Sequence, residues 1–235
     1  MAARRDKQRI DQQDLLEAME KVMLGPERKS HILTEKEKEI AAYHEAGHAL
    51  VATVLPDADP VHKVSIISRG RAAGYTLKLP IEDRHMHRKR EFLADIAVAM
   101  GGYAAEQMVF GELTTGASND LQVATNLARK LVMVYGMSEK LGPITFGDRH
   151  ELIFLGKEIG EQRNYSEKVA TKIDEEVFRF LDGARKIAAD ICRKFRGKLD
   201  EIAAKLLKQE TIEQEEFAKL VIDILPPEKR AAEAK

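Results

Sequence analysis

The sequence predicts a mainly α, multi-helix protein with one small β-hairpin or sheet, and three observations carry that expectation. Apolar residues recur at helical spacing over most of the 235 residues. Helix punctuation stands where the periodic runs begin and end, as in the capping box Thr34-Glu35-Lys36-Glu37 and the stops at Pro56, Gly111 and Gly136. Extended pattern is confined to residues 63–68 and 73–79, joined through Arg69-Gly70-Arg71-Ala72.

Residues 11–23 read as an amphipathic helix with Leu15, Ala18, Met19 and Val22 on one face. A lone helix cannot bury such a face, so it either packs on the main domain or belongs with a domain ahead of it. Gly25-Pro26 opens a linker, and the helix that follows Thr34 ends before Pro56. After the hairpin, helical spacing spans 85–108 despite Gly101-Gly102, a pair that points to close backbone approach. Ser118 or Asn119 is placed to cap a helix running to about Tyr135. Residues 138–163, with four glycines, read as irregular. Helices are expected again over 167–195, 198–208 and 214–224, and the charged tail after Pro226-Pro227 is expected to be disordered.

Composition excludes several function classes. Thirty-eight basic and 39 acidic residues leave a net charge of -1, with no basic footprint for nucleic acid. The single cysteine, Cys192, excludes an intramolecular disulfide and reads as a small buried hydrophobe. No apolar run approaches the ~18 residues of a membrane span, so the chain is expected to be soluble. Gly25-Pro26-Glu27-Arg28-Lys29-Ser30 lacks the glycine loop that cradles nucleotide phosphates.

Chemistry concentrates in His44-Glu45-Ala46-Gly47-His48. Residues four apart on a helix share a face, so His44 and His48 can aim at one ion while Glu45, beside them, serves as a base for an attacking water. The competing reading makes them ordinary histidines at the edge of a core helix, whose apolar arc is Ile40, Tyr43, Gly47, Leu50, Val51 and Val54. A catalytic zinc usually takes a third protein ligand. The extended H-E-x-x-H-x-x-G-x-x-H pattern is absent, since positions 51 and 54 are both valine. Glu82 and Glu91 do not stand out, and His62, His85, His87 and His150 are possible, although His85 and His87 lie in a basic run. Glu106, on an apolar helix, and Asp120, at a helix start, are better candidates, and periodicity does not choose between them.

The runs Gly25–Ser30, Ala42–Leu50, Thr114–Asp120, Ala124–Arg129 and Ser138–Pro143, taken in order, strongly resemble the peptidase domain of FtsH, the membrane-anchored ATP-dependent zinc protease. The resemblance covers about residues 10–224. It implies one Zn2+ per chain held by His44, His48 and Asp120, Glu45 as the base, and Glu106 as a neighbour of the site. It also implies a peptidase domain over 34–225 with the hairpin near the active site, offering a strand edge to an extended substrate. Residues 1–24 would then be the end of an ATPase lid, 25–33 a linker and 226–235 a tail. The implied activity is endoproteolysis of unfolded or damaged polypeptides, within a homo-oligomer, a hexamer, at the cytoplasmic face of a bacterial inner membrane or an equivalent organelle membrane. Membrane and ATPase regions are not found in this chain, which therefore reads as a fragment. An inactive scaffold of the same fold is the alternative.

Overall fold

The computed structural model describes residues 6–25, 33–68, 73–79, 85–147 and 164–233. Helix α1 covers Gln12–Leu24, and α2, the helix of the His-Glu pentapeptide, covers Glu35–Val54. Thr34 caps α2 in the expected box, its hydroxyl accepting from Glu37 N while the Glu37 carboxylate accepts from Thr34 N. Strands β1 (Val61–Ser65) and β2 (Tyr75–Lys78) follow, then α3 (Lys89–Ala99), α4 (Gly101–Phe110) and α5 (Ser118–Met133). The long α6 (Glu167–Lys194) leads to α7 (Arg196–Gln209), a short β3 (Thr211–Glu213), α8 (Gln214–Val221) and α9 (Pro227–Glu233).

Helix α2 lies at the centre, packed against α3, α4, α6, α7 and the β1–β2 pair. It is buried nearly all round rather than along one arc. Ala42, Ala46, Ala49, Leu50, Val51 and Ala52 are fully enclosed, while Ile40, Tyr43 and Val54 of the expected arc are only half-buried. Alanines and glycine make this possible, because short side chains let neighbouring helices close in on every side.

Three boundaries differ from expectation. The helix foreseen over 85–108 begins at Lys89 and breaks at Met100 into α3 and α4. The break lets α4 cross α2 where two glycine backbones touch: a Cβ on Gly101 would lie 2.7 Å from Gly47 O, and one on Gly47 would collide with Gly101 O. Neither Ser118 nor Asn119 caps α5; a 3₁₀ turn at Thr115–Ala117 leads into it, with the Thr114 hydroxyl accepting from Gly116 N. The hairpin is one part of a three-stranded antiparallel sheet in the order β2-β1-β3. Strand β3 follows Glu210, whose φ of 60° caps α7 and turns the chain back beside β1. Three residues are too few to register as periodic pattern.

The α1 helix sits with its acids inward. Glu20 is buried and pairs with Lys63 of β1 at 2.6 Å, whereas Leu15 and Val22 remain 62% and 86% exposed. Cys192 is fully buried, and burial pushes its thiol up to about 12. Residues 138–147 are irregular as expected; 148–163 lie outside the described residues.

At the other end, the tail expected to be disordered forms α9, with Pro227 as its first helical residue. Its Lys229 Nζ donates to Ala52 O of α2 at 2.6 Å. In a continuing helix that carbonyl would receive the N–H of residue 56, but Pro56 has none. Lys229 thus supplies both the missing donor and a positive charge at the negative end of α2. Replacing it by methionine is expected to lower stability by about 1 kcal/mol in urea unfolding, and an unchanged midpoint would remove this role.

Candidate metal centre

Two imidazoles one turn apart on a central helix are buried whatever their use, and burial obliges each ring nitrogen to find a partner. His44 and His48 are 9% and 7% exposed. Their outer nitrogens are satisfied by long-range partners. His48 Nδ1 donates to Val98 O of α3 at 2.7 Å, and His44 Nδ1 lies 2.7 Å from Glu106 Oε1 of α4. A carbonyl can only accept, so the proton on His48 Nδ1 is fixed, and in the neutral ring its Nε2 carries the lone pair. Glu106, held as a carboxylate, orients His44 in the same sense.

Both Nε2 atoms then face one point, 3.0 Å apart, and Asp120 Oδ2 faces it too, 3.1 Å from His44 Nε2 and 3.5 Å from His48 Nε2. These three residues are the one cluster of metal-ligand type among the described residues. The separations match the edges of a tetrahedron, about 3.3 Å for bonds of ~2.0–2.1 Å to zinc. Three acceptors aimed at one point repel one another unless a cation lies between them. The donor set therefore fits a divalent ion of the zinc type, with two imidazoles, one carboxylate and room for a further ligand.

Without an ion, a proton takes that place. Burial opposes charge on His44, but hydrogen bonds to Asp120 and Glu106, with the charge of Glu45 nearby, raise it to about 10. Burial likewise opposes charge on Asp120, yet its bonds to His44 and His48 hold the carboxyl well below the ordinary carboxylate range. For Glu106 the bonds to His44 and to Thr114 N also outweigh burial, and its pKa is lowered. Glu45 differs. Burial dominates there and raises its pKa, despite the nearby histidines and a hydrogen bond from the Thr76 hydroxyl.

Each residue arrives by a separate route. Asp120 stands in the first turn of α5, where the helix dipole favours a carboxylate, and 26% of its side chain is open to solvent. Glu106, only 1% exposed, meets the outer nitrogen of His44 and so lies outside the convergent set. Its other oxygen accepts from Thr114 N at 2.8 Å, which ties the loop before α5, and hence Asp120, to His44. Gly102 backs the His44 ring so closely that a Cβ there would overlap it.

The other sequence candidates lie elsewhere. Glu91 joins the capping box of α3, His85 and His87 are exposed, and His62 sits at an irregularity of β1. Glu82 and His150 are outside the described residues. Sequence reasoning missed Thr76 and the carbonyl of Val98. A backbone carbonyl has no residue signature, and a threonine in a strand is commonplace.

Comparison with known proteins supplies independent grounds. The model of peptidase family M41 matches residues 31–220. The chain is 54% identical over 220 residues to ATP-dependent zinc metalloprotease FtsH 1 of Sphaerobacter thermophilus, covering 94% of this chain and 34% of that protein. It is 49% identical over 222 residues to ATP-dependent zinc metalloprotease FtsH of Thermotoga maritima, covering 94% and 36%. For FtsH 3 of Symbiobacterium thermophilum the identity is 48% over 228 residues, covering 97% and 36%. The chain thus spans about a third of the length of the curated relatives it matches. Since the matched stretch runs from ahead of α2 into α8 and takes in every element that shapes the cluster, the chain belongs to peptidase family M41.

Proposed function

We propose that this chain is a zinc-dependent endopeptidase that cuts extended, unfolded polypeptide, with His44, His48 and Asp120 as ligands of one Zn2+ and Glu45 as the base. The observation that carries the reading is the convergence of three lone-pair donors, with both outer imidazole nitrogens already engaged, beside a buried carboxylate whose pKa is raised. Bound there, zinc would supply Lewis acidity, polarising the scissile carbonyl and lowering the pKa of water.

The chain's own residues do the rest. Glu45 takes a proton from the attacking water and passes it to the leaving amine, a task suited to a carboxylate made more basic by burial. Glu106 and Val98 O hold the two rings in the tautomer that presents Nε2 to the ion. Strand β2 is an edge of the sheet among the described residues, and Thr76 at its centre touches Glu45. An extended substrate pairing with that edge would be read through its backbone and would lie beside the base.

The names of the relatives extend the reading. We infer that residues 34–225 act as the proteolytic part of an ATP-dependent, membrane-anchored, hexameric protease, with residues 1–24 closing an ATPase module. The relatives' names and greater length support an ATP-dependent protease longer than this chain, and Leu15 and Val22 lying exposed on α1 support a neighbour for residues 1–24, while the membrane anchor and the hexamer rest on the family resemblance. Among the described residues no helix is long and apolar enough to cross a membrane.

Glu45→Gln is expected to retain about one zinc per chain by elemental analysis while cleavage of an unstructured peptide falls by about 10²–10⁴-fold; near-full activity would overturn the mechanism. Asp120→Ala should abolish tight zinc binding, whereas Glu106→Gln should weaken it by about 10–100-fold, as read by chelator competition. The reverse order would make Glu106 the ligand. The pH dependence has a definite sign. His44 in the ion-free chain titrates near 10, above its ordinary 6.5, so ion and proton compete below pH 10. Apparent zinc affinity should rise by about tenfold per pH unit between pH 7 and 9, and a flat profile would contradict the proton's occupancy of the site.

A further inference from the structure

A buried carboxylate serves as a base only when something fixes its direction, and in this chain two neighbours from one extended segment, Thr76 and Gly74, do so. Thr76 Oγ1 donates to Glu45 Oε2 at 2.8 Å and lies 3.3 Å from Glu45 O. The hydroxyl has one proton, and the shorter contact to the carboxylate takes it. Among the described residues no other hydrogen-bond donor reaches that carboxylate, so Oε2 is occupied and Oε1 is left to take a proton. Two residues earlier, a Cβ on Gly74 would stand 2.9 Å from both Glu45 Cγ and Oε1, and 2.7 Å from Ser65 O. The Gly74 backbone therefore lies against the carboxylate and limits its swing. Lys78, on the same face of β2 as Thr76, pairs with Asp95 of α3 at 2.8 Å and holds the strand in place.

We propose that Thr76 is a positioning residue for Glu45, so that β2, an edge strand among the described residues, sets the direction of the base as well as offering its backbone to substrate. The role rests on the reading of Glu45 as the base. Strand packing alone does not require the hydroxyl, since valine fills the same volume with a similar preference for strands. What valine lacks is the donor to Oε2.

The test compares wild type, Thr76→Val and Thr76→Ser, each loaded with zinc, by crystal structure and by cleavage of a fluorogenic unstructured peptide. In Thr76→Val the Glu45 carboxylate should leave its wild-type orientation. Its kcat should fall about 10–100-fold, with KM and zinc content unchanged, and serine should restore both orientation and rate. Gly74→Ala, whose methyl would press on Glu45 Cγ and Oε1, should displace the carboxylate as well. A wild-type carboxylate orientation in Thr76→Val, or a raised KM at unchanged kcat, would overturn the proposal, the latter making Thr76 a substrate contact only. If the zinc-loaded wild type cleaves no peptide, the proposed function fails by itself, because the carboxylate orientation in Thr76→Val still decides whether Thr76 holds it.

Discussion

The structure depends on the contact between the backbones of Gly47 in α2 and Gly101 in α4. Side chains at either position would force the two helices apart, since a Cβ on either residue would press into the opposing carbonyl. With the helices this close, Gly102 lies under the His44 ring and Glu106, one turn further along α4, meets its outer nitrogen. The second oxygen of Glu106 then takes the Thr114 N–H, which fixes the approach to α5 and brings Asp120 to the inner nitrogens. One backbone contact thus orders four side chains from three elements. The two glycines that look unfavourable in a helix interior are the reason that the site can form.

Burying this many polar groups is costly unless each has a partner, and the partners here fall into two sets. Outward-facing atoms are satisfied by the protein: Val98 O for His48, Glu106 for His44, Thr76 for Glu45. Inward-facing atoms are all acceptors and are satisfied only by something positive. That division separates a metal centre from an ordinary buried polar network, in which donors and acceptors alternate. The same division explains opposite shifts within one cluster, with Asp120 lowered by its hydrogen bonds and Glu45 raised by its burial.

Elements far from the cluster also serve the central helix. Pro56 ends α2 but leaves the Ala52 carbonyl without its backbone donor, and Lys229 from the last helix makes good the loss. The sheet contributes in a different way. Strand β1 is paired on both sides and anchored through Lys63 to Glu20, whereas β2 is an outer strand among the described residues and carries Thr76 against Glu45. Strand β3 is the other outer strand among the described residues, at the opposite edge of the sheet from β2.

The sequence by itself determined whatever depends on near neighbours along the chain. The capping box at Thr34, the His44–His48 spacing and the helical runs were all legible, because an α-helix converts separations of three and four residues directly into proximity. Separation in sequence carries no such conversion for Glu106, which reads as a stray charge on an apolar helix yet is among the most deeply buried groups in the protein. The choice of Asp120 over Glu106 came from resemblance rather than spacing, and only the tertiary structure showed one at the inner face of His44 and the other at the outer. Met100 as a break, β3 as a third strand, Lys229 as a cap and Thr76 as the partner of Glu45 likewise belong to packing. Each depends on groups brought together across 30 to nearly 180 positions or on backbone atoms that every residue shares, and local pattern holds no record of either.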